Sequence, residues 1–559
     1  MKKQTGRIPR LGVVGLSLAI TLLMVVDAAA QAEPTQAAIK KRIEQVRRDG
    51  RLEVESDQIS AIKLIPDYYE AHKFRPAWTD PSNVEDLFRA IDDLEKDGLL
   101  PKDYHRDALL RLKGRIETVT VPDPELVADY DLLLMDAMIR MVYHMLVGKV
   151  DPERLDPNWN LSQDIQAVDP VAGIRDALTS GALYQFLERT KPTAPYYVRL
   201  KKALADYRAI QEAGGWEAVP EGQTLKPGMT DRRIPAIRER LAVTGDLPKA
   251  ENRTSEIFDT QLEEAVKQFQ RRHRIADDGV IGKGTLAEMN VPVAARIDQI
   301  RVNLERGRWV LQDIDREYVL VNIAGFHAAH VRDGAFDFLA RVQVGKPYRK
   351  TPVFKAELKY IVFNPTWTVP PTILAKDVLP AIKKDPSYLN RKNMDVVTHS
   401  GKVLDPSTID WSRYSGSDFP YMIRQGPGPT NALGLVKFIF PNQYFVFLHD
   451  TPSKSLFDRE TRTFSSGCIR VENPFELAER LLDDPEKWNR AEIDKVIRSE
   501  KTQTVYLNRP MPVVILYWTA YVDEVGQVHF MGDVYERDNH ILEDLDEGFR
   551  VRERDRRGR

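Results

Sequence analysis

The hydrophobic pattern of this chain changes its period once, and that change limits the folds that the chain can adopt. Up to about residue 311, apolar residues recur at three-to-four spacing, which is typical of amphipathic helices. From about residue 318 they occur in short β-branched and apolar runs, which predict strands. A length of 559 residues corresponds to about three or four domains. We therefore predict a multidomain protein that is helical first and mainly β towards its C-terminus.

The helical part divides into two units. Residues 57–205 form a long, mostly helical block with no titratable cluster, and we interpret this block as a scaffold. Residues 206–229 are rich in Gly and Pro, which predicts a loop or linker. Residues 231–292 then carry three short helical stripes, which predict a small three-helix unit.

The strand-rich part spans about residues 315–535. Within it, residues 365–432 are Pro-rich and irregular apart from one helical piece, and a loop of this length is usually functional, often a lid. Residues 33–56 are highly charged and predict a linker ahead of the helical block. Residues 536–559 are predicted to be a charged tail.

The N-terminus has the pattern of an export signal. Basic residues precede an apolar run of 16 residues from Leu11 to Val26, and small residues follow it. This order predicts a signal peptide over residues 1–32, cleaved after Ala30 or Ala32. The alternative is an uncleaved segment that tethers the protein to the inner membrane, because the run is only slightly shorter than the roughly 18 residues that a spanning helix needs.

Composition excludes several classes of function. The net charge of −2 argues against a general nucleic-acid binder, which would carry a basic excess. The single cysteine, Cys468, rules out an intrachain disulfide and a cysteine-rich zinc site. His327 and His330 would point to opposite faces of a strand. We expect no metal and no other cofactor.

One stretch carries residues suited to nucleophilic catalysis. A strand over residues 445–448 ends at His449 and Asp450, and Cys468 follows 19 positions after the histidine. A thiolate is a strong nucleophile, and an imidazole can take its proton and later return it to a leaving amine. Gly467 allows a tight turn beside the sulfur, so that the backbone N–H groups of Gly467 and Cys468 are candidate donors to an oxyanion.

The neighbouring polar residues have two readings each. Ser465 and Ser466 could supply further donors or hold the loop, and Arg470 could bind a substrate carboxylate or brace the site. A lone cysteine beside a glycine is also often a small buried residue, and a histidine at a strand end is often structural. From the pattern alone, catalytic and structural roles both stay open.

The same stretch resembles the L,D-transpeptidase catalytic domain (the YkuD family), over roughly residues 315–535. The motif is carried by His449-Asp450-Thr451-Pro452 and Ser465-Ser466-Gly467-Cys468-Ile469-Arg470. Supporting blocks are Val344-Gly345-Lys346-Pro347 with Thr351-Pro352, Phe363-Asn364-Pro365-Thr366-Trp367, Arg424-Gln425-Gly426-Pro427-Gly428, and Asn431-Ala432-Leu433-Gly434 with Lys437-Phe438. Many members carry His where this chain has Ser466. That departure is typical of a larger, multidomain (YcbB-like) subgroup, and it implies that His449 alone supplies the imidazole.

Two further resemblances concern the helical part. Residues 231–292 resemble the peptidoglycan-binding type 1 module, and the alternative is a plain three-helix bundle that does not touch the wall. Residues 57–205 are similar to the helical scaffold of the same subgroup. The resemblance implies a YkuD-like β-sandwich catalytic domain with a substrate-capping lid over about residues 368–430. Trp367 and Tyr421 would then be contacts to substrate or part of the lid core.

The resemblance also implies a reaction. Cys468 would attack the carbonyl of residue three of a peptidoglycan tetrapeptide stem and release D-Ala. A diaminopimelate amine of a neighbouring stem would resolve the thioester into a 3→3 cross-link, with His449 as the base. A backbone carbonyl often orients this histidine, so Asp450 is expected to brace the loop, and Asn431 is expected to bind substrate or to brace. The implied setting is the periplasm of a Gram-negative envelope, and the thiol would be acylated by carbapenems.

Three alternatives stay open at this point. Water could resolve the thioester, which would make the protein an L,D-carboxypeptidase or hydrolase. The acceptor could be the lysine of an outer-membrane lipoprotein. From a different class, the protein could bind the wall through residues 231–292 without catalysis, although the presence of His449 and Cys468 speaks against this reading.

Overall fold

The structure is a computed structural model that describes residues 14–156, 159–161, 169–248, 253–312, 314–416 and 418–548, with side chains described from residue 32. The basic start of the predicted signal and the end of the predicted tail therefore lie outside the described residues. The chain divides into two compact units. One comprises Met1–Asp151, Gln163–Thr193 and Glu543–Arg559, and the other Pro152–Ser162 and Ala194–Leu542. None of the described helices is long and apolar enough to span a bilayer.

The secondary structure follows the change of period seen in the sequence. In chain order the helices are α1 (Val14–Asp49), α2 (Leu64–Ala71), α3 (Pro81–Asp93), α4 (Arg106–Glu117), α5 (Pro124–Val147), α6 (Pro152–Leu155), α7 (Pro170–Thr179), α8 (Leu183–Glu188), α9 (Pro195–Glu212), α10 (Ile234–Val243), α11 (Thr260–Arg272), α12 (Lys283–Met289), α13 (Val293–Val310), α14 (Pro371–Ile373), α15 (Leu379–Lys384), α16 (Tyr388–Arg391), α17 (Pro474–Leu482), α18 (Arg490–Arg498) and α19 (Asp538–Asp546).

The strands are β1 (Glu53–Val54), β2 (Asp57–Gln58), β3 (Glu317–Asn322), β4 (His327–Arg332), β5 (Ala335–Gly345), β6 (Phe354–Phe363), β7 (Trp367–Thr368), β8 (Met394–Val397), β9 (Val403–Leu404), β10 (Met422–Gln425), β11 (Val436–Ile439), β12 (Leu448–His449), β13 (Thr463–Ser465), β14 (Ile469–Val471), β15 (Gln503–Leu516), β16 (Ala520–Val522) and β17 (Val528–Phe530). The helical character predicted for the N-terminal part and the β character of the C-terminal part are both confirmed.

The prediction of a linker over residues 33–56 is wrong. Helix α1 continues to Asp49 and packs on α5, and the strands β1 and β2 pair directly after it. Ile39, Ile43 and Val46 are buried, at a spacing that places them on one helical face. This apolar stripe is narrow and lies among many charged residues, so the composition of the segment does not predict a packed helix.

The three-helix unit predicted over residues 231–292 is present as α10, α11 and α12. Its core includes Ile237, Leu241, Val266 and Phe269, all inaccessible to solvent. The side chain of Gln270 donates to the carbonyl of Val280 (2.9 Å) and to Thr285 Oγ1 (3.1 Å), which fixes the turn between α11 and α12.

The C-terminal part is built on one nine-stranded sheet with the order β13-β5-β14-β12-β11-β6-β15-β3-β4. Because β4 also pairs with β5, the sheet closes on itself around a single apolar core. Helix α17 adds Leu477 and Leu481 to this core, and Pro474 stands in its first turn, where a missing N–H costs nothing. The arrangement places β12 and β14 side by side in the middle of the sheet.

The segment between β6 and β11 is an ordered subdomain, which we call the lid. Strands β7, β10, β8 and β9 form a four-stranded sheet, and α14, α15 and α16 pack with it around a separate apolar core. The irregular character expected for residues 365–432 is therefore wrong. These strands are only two to four residues long, too short to show an alternating pattern in the sequence.

The predicted tail also begins as ordered structure. Helix α19 runs over Asp538–Asp546, and its Ile541 and Leu545 are buried. Two apolar residues four positions apart are enough to dock one helical face, although the surrounding residues are charged. Residues 549–559 of the tail lie outside the described residues.

Candidate active site

The register of the central strands brings the predicted residues to one face of the sheet. Strands β12 and β14 run parallel, with Leu448 opposite Ile469 and His449 opposite Arg470. Leu448 and Ile469 are buried in the core. Since successive side chains of a strand alternate between faces, His449 and Arg470 lie on the opposite face.

Two more groups belong to this site. Cys468 directly precedes β14 and stands two positions before Arg470, and the charges of Lys437 and Arg470 both act on its thiol. Lys437 of β11 is paired with His449 in antiparallel register. We call Cys468, His449, Arg470 and Lys437 the catalytic row.

The surroundings of His449 fix its tautomer. The ring is buried, with 3% of its surface exposed, and its Nδ1 lies 2.5 Å from the backbone carbonyl of Asp450. A carbonyl only accepts, so Nδ1 donates to it and Nε2 carries the lone pair of the neutral ring; the carbonyl of Leu433 is a second backbone acceptor near this ring. Burial lowers the pKa of His449 to about 3, and the positive charges of Arg470 and Lys437 act in the same direction. The imidazole is therefore a neutral base at physiological pH.

The surroundings of Cys468 favour its protonated form. Cys468 is partly accessible to solvent, and its Sγ lies 3.6 Å from the backbone carbonyl of Phe445. Loss of hydration raises the pKa of the Cys468 thiol, whereas the charges of Lys437 and Arg470 oppose that shift. A neutral thiol and a neutral imidazole are thus favoured over a thiolate–imidazolium pair. The two cations are placed to stabilise negative charge that develops during a reaction.

The loop that carries the thiol is held by a serine. Ser465 Oγ accepts from the N–H of Gly467 (3.1 Å) and donates to the carbonyl of Cys468 (2.5 Å). The Gly467 N–H is therefore already engaged, which differs from its predicted role as a donor to an oxyanion. The Cys468 N–H has no acceptor in the described part of the chain, so it is the N–H left for that role. Gly467 adopts a φ of 120°, a conformation that favours glycine.

A second layer supports this loop from behind. The carbonyl of Gly467 accepts from Thr351 Oγ1 (2.8 Å), which in turn accepts from the N–H of Gly345 (2.9 Å). The hydroxyl of Tyr535 donates to the carbonyl of Gly345 (2.5 Å). A Cβ on Gly345 would lie 2.1 Å from the backbone oxygen of Arg349, so only glycine permits this close approach. Sequence reasoning missed Tyr535, which stands at the predicted domain end and carries no motif.

Arg470 and Ser466 each have one defined partner. Arg470 Nη1 donates to Gln343 Oε1 (3.0 Å), and the amide of Gln343 donates to the carbonyl of Ser453 (3.1 Å). This network braces the guanidinium beside the thiol. Ser466 is exposed, and its Oγ accepts from Arg349 Nη1 (2.9 Å).

The remaining predicted residues act at a distance from the thiol. Asp450 Oδ2 accepts from the N–H of Leu435 (2.9 Å), and its other oxygen pairs with Lys454. Asn431 is buried and its amide bonds to the backbone of three residues: Pro365 (3.1 Å), Gly426 (2.7 Å) and Leu433 (2.8 Å). Both residues therefore brace the loops around the site. Trp367 is half-buried against the lid core, as is Tyr421.

The role of Asp450 can be tested with Asp450→Asn. Asn can still accept from the Leu435 N–H, but it loses the ion pair with Lys454. We expect a loss of stability on the order of 1 kcal/mol and less than a tenfold fall in turnover. Thermal unfolding and steady-state rates would measure both effects. A loss of turnover as deep as that of His449→Ala would show instead that the carboxylate takes part in the chemistry.

Three segments of the chain match models of known protein families. Residues 63–204 match a scaffold domain, residues 231–289 a "putative peptidoglycan binding domain", and residues 316–515 the L,D-transpeptidase catalytic domain. The last match contains the catalytic row.

A curated relative and two solved structures are also similar to this chain. A "Putative L,D-transpeptidase" of Haemophilus influenzae is 37% identical over 223 residues, which cover 40% of this chain and 45% of the relative. The aligned part thus spans about half the length of that relative. The L,D-transpeptidase from Xylanimonas cellulosilytica is 13% identical, with 53% of this chain and 99% of that chain covered and a TM-score of 0.17.

The second structure is the Ldtfm–avibactam carbamoyl enzyme. It is 13% identical, covers 57% of this chain and 98% of its own, and has a TM-score of 0.19. At these TM-scores neither structure adds to the argument. The family match and the curated relative agree, however, and they agree with the geometry of the catalytic row. Residues 316–515 of this chain thus match the L,D-transpeptidase catalytic domain of the YkuD family, and residues 231–289 ahead of them match a putative peptidoglycan binding domain.

Proposed function

We propose that this protein is a cysteine-dependent L,D-transpeptidase that forms 3→3 cross-links in peptidoglycan. The observation that supports the proposal is the parallel pairing of β12 and β14, which sets His449 opposite Arg470, two positions after Cys468, while Nδ1 of His449 bonds to the carbonyl of Asp450. The family of the catalytic domain supports the reaction class, and the peptidoglycan-binding domain supports the substrate.

The first half-reaction is acylation of the thiol. His449 Nε2 takes the proton of Cys468 as Sγ attacks the carbonyl carbon of the third residue of a tetrapeptide stem. The oxyanion that forms is met by the Cys468 N–H and by the nearby charges of Lys437 and Arg470. The C–N bond to D-Ala then breaks, the nitrogen takes the proton from His449, and D-Ala leaves. A thioester on Cys468 remains.

The second half-reaction uses the same groups in reverse. The side-chain amine of diaminopimelate on a neighbouring stem attacks the thioester carbonyl, and His449 Nε2 accepts a proton from that amine. The C–S bond breaks, Cys468 leaves as a thiolate, and it recovers its proton from His449. The product is a new amide between the third residues of two stems. The carbonyl of Asp450 keeps the imidazole in the required tautomer throughout.

We further propose that the protein works in the periplasm. The basic start, the apolar run and the small residues before position 33 support export. Mass analysis of the N-terminus of the exported protein would distinguish cleavage after Ala30 or Ala32 from a retained anchor.

The reaction is tested by product analysis. The mature enzyme, incubated with disaccharide-tetrapeptides, should give a dimer that has lost one D-Ala, and a Cys468→Ala variant should give none. Tripeptide monomers without dimers would identify a carboxypeptidase instead. If the substrate stays unchanged and the protein still binds to isolated sacculi, a wall-binding protein is favoured.

A further inference from the structure

Arg349 occupies a distinctive position next to the nucleophile loop. Its Nη1 donates both to Ser466 Oγ (2.9 Å) and to Asp377 Oδ2 of the lid (2.7 Å). Ser466 is two residues before Cys468, and two residues span at most about 7 Å. The guanidinium is therefore held at the loop that carries the thiol, by one partner from the loop and one from the lid.

The other edge of this guanidinium is unused. Nε is buried, and neither Nε nor Nη2 donates to an acceptor within the described ranges. These two N–H groups form the side of an arginine that binds a carboxylate through two parallel hydrogen bonds. Arg42 uses this edge in the same molecule, where Nε and Nη2 reach the two oxygens of Asp129 at 2.7 and 2.9 Å. A buried N–H without a partner, as at Arg349 Nε, calls for an acceptor.

The charges around the thiol indicate what that acceptor is. Lys437 and Arg470 are cations of the catalytic row, and the nearby carboxylate of Asp450 is already engaged by Lys454 and a backbone N–H. Asp377 reaches only Nη1 of Arg349, and half of its side chain is exposed. Among the described residues, the charges that act on the thiol are thus positive, which suits an anionic ligand.

We propose that Arg349 binds the C-terminal carboxylate of the donor stem and thereby selects stems that end one residue beyond the attacked carbonyl. The inference rests on the proposed function, in which D-Ala is the leaving residue. The carboxylate of that residue is separated from the attacked carbon by only a nitrogen and an α-carbon, so it lies near the thiol when the carbonyl does. Ser466 and Asp377 act on Arg349 as positioning residues, because they hold Nη1 and leave the Nε–Nη2 edge free.

The test compares two donors that differ at this one group, a disaccharide-tetrapeptide with a free C-terminal carboxylate and its C-terminal amide. The wild type should prefer the free acid by about 10- to 100-fold in kcat/KM, the range expected for one charged hydrogen-bonded pair. Arg349→Gln should lose this preference because the rate with the acid falls to that with the amide. Arg349→Lys keeps the positive charge but cannot form the two parallel hydrogen bonds. It should therefore show an intermediate preference for the free acid.

Two controls separate this role from a structural one. Arg391→Gln removes the same charge from an exposed ion pair with Asp385 on the lid and should leave the preference unchanged. Alkylation of Cys468 by neutral iodoacetamide should proceed at the wild-type rate in Arg349→Lys, which reports an intact nucleophile loop.

The outcomes distinguish the two proposals. If the wild type consumes both donors and neither Arg349 variant changes their ratio, carboxylate recognition by Arg349 is refuted while the transpeptidase assignment stands. If the wild type consumes neither donor, the proposed function fails, and the role of Arg349 fails with it.

Discussion

Cys468→Ala will abolish acyl transfer, and His449→Ala will slow acylation by about 10²- to 10⁴-fold, the contribution typical of a positioned general base. The thiol supplies the atom that carries the acyl group, and no other cysteine exists in the chain. The histidine supplies the Nε2 lone pair that removes the thiol proton, and the neutral thiol of the resting enzyme makes that step necessary.

Stopped-flow acylation with a carbapenem measures both variants directly. His399→Ala is a matched control, because it removes an exposed histidine of the lid, and it should acylate at the wild-type rate. Acylation of His449→Ala within a few-fold of the wild type would show that another group takes the proton.

The acylation rate will be flat between about pH 5 and 8. An ordinary histidine, with a pKa near 6.5, would lose its base form across this range as the pH falls. Burial and the charges of Arg470 and Lys437 lower the pKa of His449 to about 3, so the base form is present above that value and is lost only as the pH falls through it. A flat profile would therefore agree with a general base whose pKa is lowered. A fall in rate centred between pH 6 and 7 would contradict it.

Lys437→Met provides the control for this electrostatic argument. Removal of the cation favours the imidazolium, so the pKa of His449 should rise and the loss of activity should begin at a higher pH. The same change disfavours the thiolate, so the pKa of Cys468 should rise further. Alkylation by iodoacetamide as a function of pH would follow the thiol. A shift of either pKa in the opposite direction would show that Lys437 does not act through its charge.

Much of the fold could be predicted because its signals are local. The strand character predicted from about residue 318 begins with β3, and the three helical stripes predicted over residues 231–292 correspond to α10, α11 and α12. The lid sheet could not be found, because strands such as β7 and β9 have two residues each and are defined by their partners. The same holds for α1 and α19, whose apolar faces are too narrow to stand out among charged neighbours.

The residues of the candidate site could likewise be predicted only in part. Cys468 and His449 could be singled out because they lie in the motif that resembles the L,D-transpeptidase catalytic domain, whereas their residue types alone left both roles open. Strand pairing sets His449 opposite Arg470, two positions after Cys468. The carbonyl of Asp450 as the partner of the imidazole agrees with the expectation for this family. Arg349 and Tyr535 could not be assigned, because each reaches the loop through contacts distant in sequence, 117 residues for Arg349 to Ser466 and 190 for Tyr535 to Gly345. The engaged N–H of Gly467 likewise depends on where one serine hydroxyl lies.

The central claim is that Cys468 is an activated acyl acceptor, and the mass of the intact protein after mixing with a carbapenem tests it most directly. The mature wild type should gain one adduct of the mass of the drug, and Cys468→Ala should gain none. No adduct on the wild type, or an equal adduct on Cys468→Ala, would contradict the account.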